Sequence, residues 1–199
     1  MPNYGEKIVY WYLRLNGFFP LENFVIHRSQ NTKYSSDVDV IAVRFPFVYE
    51  EIGGKPEDWD KTLFDLFDPS LPIGLLCEVK TGRINGHKLF QSNNVSYAVG
   101  RFGFTEDSAK LGSIIQQKNY FIEPGCFQIA KILFSNRDQM HSDQFFHISL
   151  THARSFLQAR IRKYPKEKFQ DRLHFNSDLI QDLIDTTVNN RNGDPNAAT

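Results

Sequence analysis

The sequence predicts a mixed α/β fold: a mixed central sheet of about five strands, flanked by helices. Three observations carry that prediction. Short runs rich in apolar and β-branched residues, at 36–44, 75–80, 126–134 and 145–150, read as strands, with a further one at 24–28. Apolar residues at helical spacing precede these runs, separate them and follow the last. The chain of 199 residues is 41% apolar and carries 18 Phe, enough for one sizeable core. A single domain over residues 1–190 follows, with 45–72 as an insertion and 191–199 as a flexible polar tail.

The first helix is expected over residues 3–16. Asn3 can cap it, Glu6 three residues later fits a capping box, and Tyr4, Ile8, Trp11, Tyr12 and Leu15 form one stripe. Gly17 ends it, with Pro20 close behind. A strand at 24–28 and a polar turn at 29–35 lead into Asp37-Val38-Asp39-Val40-Ile41-Ala42-Val43. Acids are depleted in strands, so Asp37 and Asp39 on one face stand out. The excursion 45–71 holds seven acids between Glu50 and Asp68 against two lysines, and a short helix at 59–67. It reads as a solvated loop at the mouth of the fold. The strand that follows ends in Cys77-Glu78-Val79-Lys80. Helices near 89–102 and 107–118 come next, then two strands, a helix from a Thr151 cap to about Tyr164, and a last helix near 178–188.

Lys and Arg number 23, as do Asp and Glu, so no global basic surface advertises a nucleic-acid partner. The basic residues concentrate between Arg154 and Arg172. No apolar run approaches the ~20 residues that span a bilayer, and no leader pattern precedes the first helix, so a cytoplasmic protein without a membrane partner is expected. Cys77 and Cys126, both in apolar surroundings, read as buried, reduced thiols.

Strand alternation puts Leu76, Glu78 and Lys80 on one face. Burying either charge costs several kcal/mol unless it is paired or metal-bound. Taken alone, Glu78 and Lys80 read as a salt bridge. Asp39 on a neighbouring strand adds a second carboxylate, and two such groups suit a hard divalent cation such as Mg²⁺, with the Val79 backbone carbonyl as a further oxygen. A lysine on the same face is placed to stabilise developing negative charge. This is the minimum equipment for hydrolysing a phosphodiester.

Glu6 in the first helix, Asp39 within Asp-Val-Asp-Val-Ile-Ala-Val, and Glu78-Val79-Lys80 resemble the PD-(D/E)xK superfamily of restriction-endonuclease-like nucleases, its resolvase-like branch above all. The resemblance spans roughly the first half of the chain. No proline precedes the acidic residue, and the gap from Asp39 to Glu78 is longer than in compact members. The resemblance implies a restriction-endonuclease-like fold and Mg²⁺-dependent cleavage of nucleic acid, with Mn²⁺ as substitute and DNA endonucleolysis as the foremost activity. It makes Asp39 and Glu78 metal ligands and Lys80 the water-activating residue. Glu6 becomes a metal or indirect partner, or only a cap, and Asp37 competes for the role of Asp39. A homodimer is an assembly it offers for cutting two strands.

Arg83 and Lys88, just after the motif, are candidates for phosphate contact, as are Arg160, Arg162 and Lys163 in the basic helix, where a solvated face is an equal account. Gln116 and Tyr120 share a Gln-x-x-x-Tyr spacing with some exonuclease members but stand far beyond Lys80 in the chain. His141, His147 and His152 lack zinc-ligand spacing. The alternative function is a catalytically inactive module of the same fold, binding nucleic acid or serving assembly, with Glu78 and Lys80 as a structural ion pair.

Overall fold

The computed structural model describes residues 3–25, 37–86, 89–170 and 178–189. Helix α1 spans Tyr4–Leu15. Its start is a reciprocal cap: the Glu6 N–H donates to the Asn3 side chain, and the Asn3 N–H donates to the Glu6 carboxylate at 3.1 Å. Strands β1 (Phe19–Val25), β2 (Asp37–Arg44) and β3 (Ile73–Lys80) follow, each antiparallel to the next. A short helix α2 (Lys61–Phe64) lies between β2 and β3. Helices α3 (Ser92–Phe102) and α4 (Ser108–Gln117) carry the chain over the sheet. It returns through β4 (Tyr120–Glu123) into β5 (Phe127–Ser135), which lies parallel to β3. Strand β6 (Phe146–Ser149) and helices α5 (Leu150–Lys163) and α6 (Asp178–Asn189) complete the order.

The sheet is six-stranded and mixed, in the order β1-β2-β3-β5-β4, with β6 also on β5. β4 pairs with the first part of β5 and β6 with the second, so the two share one edge. On one face Val40, Leu75, Cys77, Val79 and Phe134 pack against Ile8 and Tyr12 of α1, Leu157 of α5 and Ile180 of α6. On the other, Leu76, Ile129 and Leu133 pack against Val95 and Val99 of α3 and Ile115 of α4. β3 and β5 are covered on both faces, which is why their sequences run almost continuously apolar. No helix among the described residues is long and apolar enough to cross a membrane.

Two close approaches fix the helices. A Cβ on Gly5 would stand 2.7 Å from the Thr81 methyl, so α1 seats its first turn directly on the end of β3. A Cβ on Gly112 would meet Ser96 at 2.6 Å, which locks α4 against α3.

The mixed sheet flanked by helices is as the sequence predicts, with several local differences. The first strand lies at Phe19–Val25 rather than 24–28, because Pro20 sits within an edge strand instead of ending a turn; residues 26–28 lie outside the described residues. Strand β4 has too few residues to leave a periodic signal. Ser149, not Thr151, caps α5 through a bond from the His152 N–H. Cys77 is buried, but Cys126 is exposed in the turn before β5. The 45–72 excursion is not a wholly solvated loop: Asp58 and Asp60 are buried, and Leu63 and Phe67 enter the core. The 191–199 tail lies outside the described residues.

Candidate active site

β2 and β3 pair regularly from Arg44–Ile73 to Val40–Cys77, and there the ladder stops. The next Val79 N–H donates instead to Asp39 Oδ2 at 2.7 Å. A side chain thus replaces a main-chain carbonyl, and the strands part at their ends. A strand residue's N–H and C=O face the same neighbour, so the Val79 carbonyl points into this gap.

Lys80 bridges the gap. Its Nζ lies 2.9 Å from Asp39 Oδ2 and 2.6 Å from Glu78 Oε2. Glu78 Oε1 receives a long bond, 3.4 Å, from the Phe90 N–H. Asp39 Oδ1 receives none from the described residues. Burial pushes the Glu78 pKa up, and Lys80 works in the opposite direction. Burial disfavours the Lys80 charge, but Glu78 and Asp39 outweigh it and hold its pKa above the usual value. Lys80 keeps 30% of its side chain exposed, so the cluster opens to solvent at the lysine.

The structure therefore brings together Asp39, Glu78, Lys80 and the Val79 backbone, four of the positions the sequence marks. Glu6 is not among them. Both its oxygens are occupied by Asn3, and it reaches Asp39 and Lys80 only through space. Burial raises its pKa, the Asn3 N–H opposes this, and Asp39 and Glu22 add repulsion. Among the described residues no group of three or more His, Cys, Asp or Glu side chains is arranged to hold a metal. Two convergent carboxylates and one carbonyl still fit a hard cation that keeps several waters, such as Mg²⁺. Both carboxylates already turn to the one positive charge between them. The side chain of Asp37 lies outside the described residues.

The basic candidates separate. Arg83 is exposed just beyond Lys80, Arg162 is exposed on α5, and Lys88 lies outside the described residues. Arg160 does not offer its charge to a ligand. It is 3% exposed, and its guanidinium donates to the carbonyls of Gly53, Asp58 and Leu15. Lys163 is paired with Asp58 at 2.6 Å. These contacts lie at the C-terminal end of α1, whereas the Asp39 cluster lies at its N-terminal end, roughly 18 Å away at 1.5 Å per residue. Arg154, nearly two turns earlier on α5, is exposed. With Asn3, Thr81 and Asn136 it lines a groove of about 480 Å³ at the ends of β3 and β5.

Gln116 is nearer than its sequence distance suggests. Its Nε2 donates to the Phe90 carbonyl at 2.9 Å, and the Phe90 N–H donates to Glu78. Tyr120 does not join it; its hydroxyl donates to Gln128. Lys131 was not marked by the motif, though a lone lysine inside the apolar run of β5 was a visible signal. His147 pairs with Ser135 and His152 with Asp60, ordinary polar roles beside a cavity of about 550 Å³. Comparisons of the chain with protein-family models, with curated proteins and with solved structures return no match.

Proposed function

We propose that this protein is a Mg²⁺-dependent nuclease of the PD-(D/E)xK type, acting on DNA as an endonuclease, with Mn²⁺ as a substitute. One observation carries the reading: Asp39, Glu78 and Lys80 converge where β2 leaves β3, open to solvent. Asp39, Glu78 and the Val79 carbonyl are the groups that would hold the cation. Bound there, the cation would polarise a phosphodiester and offset its developing charge. Lys80, kept cationic by both carboxylates, orients the attacking water and neutralises charge on the phosphate oxygens. The Val79 N–H holds Asp39 at the strand end, and the Phe90 N–H holds Glu78. Arg83, exposed just after Lys80 in the chain, is the candidate phosphate contact. The parallel strands β3 and β5 end at this edge, the usual place for ligands on such sheets.

A second reading is favoured by the double ion pair itself. Lys80 already pairs with both carboxylates, as it would in a non-catalytic module of the same architecture. Cleavage separates the two. Plasmid, linear duplex, single strands, branched junctions and RNA are incubated with Mg²⁺ or Mn²⁺. Parent activity that disappears in Asp39→Ala and Lys80→Ala supports the nuclease. No cleavage of any substrate, or equal cleavage by the variants, rejects it.

A further inference from the structure

We propose that the cavity between α4, β5 and the loop around Phe145 receives one nucleobase, turned out of the strand that is cut; this rests on the nuclease reading above. The cavity measures about 300 Å³ and is lined by Gly86, Leu89, Phe90, Gln116, Lys131 and Phe145, among others. Lys131 is 1% exposed. Its Nζ donates to the Gln116 carbonyl at 3.0 Å and lies 5.6 Å from the centre of the Phe90 ring. An ammonium has three donors, and no carboxylate among the described residues lies within ion-pair distance of this one. Burial lowers its pKa to about 8.

Beside it stands the opposite want. Gln116 Nε2 donates to the Phe90 carbonyl, which fixes the amide's orientation and turns Oε1 away. That oxygen is buried and has no donor. Among the described residues, the wall thus presents ammonium donors without an acceptor beside an acceptor without a donor. The flanking rings of Phe90 and Phe145 are 5.9 Å apart and inclined by 33°.

A phosphate or carboxylate offers acceptors only, so it would serve Lys131 and leave Gln116 Oε1 unpaired. A nucleobase edge offers donor and acceptor side by side on a flat ring that aromatic side chains can hold. The placement suits a nucleotide next to a scissile phosphate. Phe90 belongs to both places, lining the cavity and donating its N–H to Glu78. Lys131 pairs in register with Leu76, so Glu78 lies about 7 Å along the sheet and about 5 Å across it.

The test is equilibrium binding of short single-stranded and duplex DNA, followed by fluorescence anisotropy in the Lys80→Ala background so that the strand stays intact. One abasic nucleotide is walked along the sequence. The expected profile has one position where losing the base weakens binding about tenfold. Lys131→Met weakens the intact strand by a similar factor and becomes indifferent to that position. The walk leaves the cavity unaltered, so it decides the question even where Lys131→Met fails to fold. Binding with a flat profile, or a dip that Lys131→Met leaves in place, overturns the base pocket and spares the nuclease reading. No binding of any strand overturns both.

Discussion

Two charged clusters sit at opposite ends of α1, and each draws two carboxylates and a lysine into ion pairs. At the C-terminal end, the Asp58 and Asp60 side chains are 0% and 5% exposed. Every oxygen of both is occupied. Asp58 accepts from Lys163, the Tyr164 hydroxyl and the Lys55 N–H. Asp60 accepts from the Tyr12 hydroxyl, His152 and the Thr62 N–H. Arg160 ties this excursion to α5 through backbone carbonyls. At the N-terminal end, Asp39 uses one oxygen for two bonds, Glu78 has one long bond beside its ion pair, and Lys80 reaches solvent. Burial of charge is common to both clusters. What separates a fastening from a candidate site is how many carboxylate lone pairs are left open: among the described residues, three bonds fall on each of Asp58 and Asp60, two on each of Asp39 and Glu78.

The largest effect that sharpens this contrast is kinetic. In the proposed nuclease, Lys80→Ala lowers the initial cleavage rate by about 10³-fold or more, because among the described residues no other basic side chain pairs with these carboxylates. Arg160→Met does the reverse. It strands buried carbonyls of Gly53 and Asp58 and lowers unfolding free energy by about 3 kcal/mol in urea denaturation, while activity per folded molecule is kept. An Arg160→Met protein that is stable but inactive would erase the distinction between the clusters.

Smaller effects follow. Asn3→Ala removes the α1 cap and lowers stability by about 1 kcal/mol, read from the same urea curves. His152 gives a pH dependence. Its hydrogen bond to Asp60 raises its pKa above the usual 6.5, against the effect of burial. The folded state therefore binds the proton more tightly than the unfolded chain. That stabilisation is complete below about pH 6.5 and is lost as the pH rises through the folded-state value. Melting temperatures measured from pH 6 to 9 should show this loss in the parent, and His152→Gln should flatten it. An unchanged slope in the variant would mean that the Asp60 contact does not hold the proton.

The N-terminal cluster was legible in the sequence because its geometry is local to two strands. Alternation alone puts Glu78 and Lys80 on one face, and the acid inside a β-branched run marked Asp39. The C-terminal cluster was not legible. Asp58 and Asp60 read as surface charge because their partners Arg160, Lys163 and His152 stand about a hundred residues later. No periodicity encodes such a pairing. Glu6 shows the same limit in reverse: helical spacing could turn it towards the sheet, but its own cap claims both oxygens. Lys131 and Gln116 fall between these cases, visible as polar residues in apolar company and interpretable only once α4 is folded onto β5.

Whether Asp39 and Glu78 hold a cation is decided by calorimetric titration of Mn²⁺ into the protein, with Asp39→Ala, Glu78→Gln and Asp60→Asn alongside. Saturable binding is expected in the parent and in Asp60→Asn, and is lost in both other variants. No saturable binding in the parent, or binding that survives Asp39→Ala and Glu78→Gln alike, would contradict that cation site.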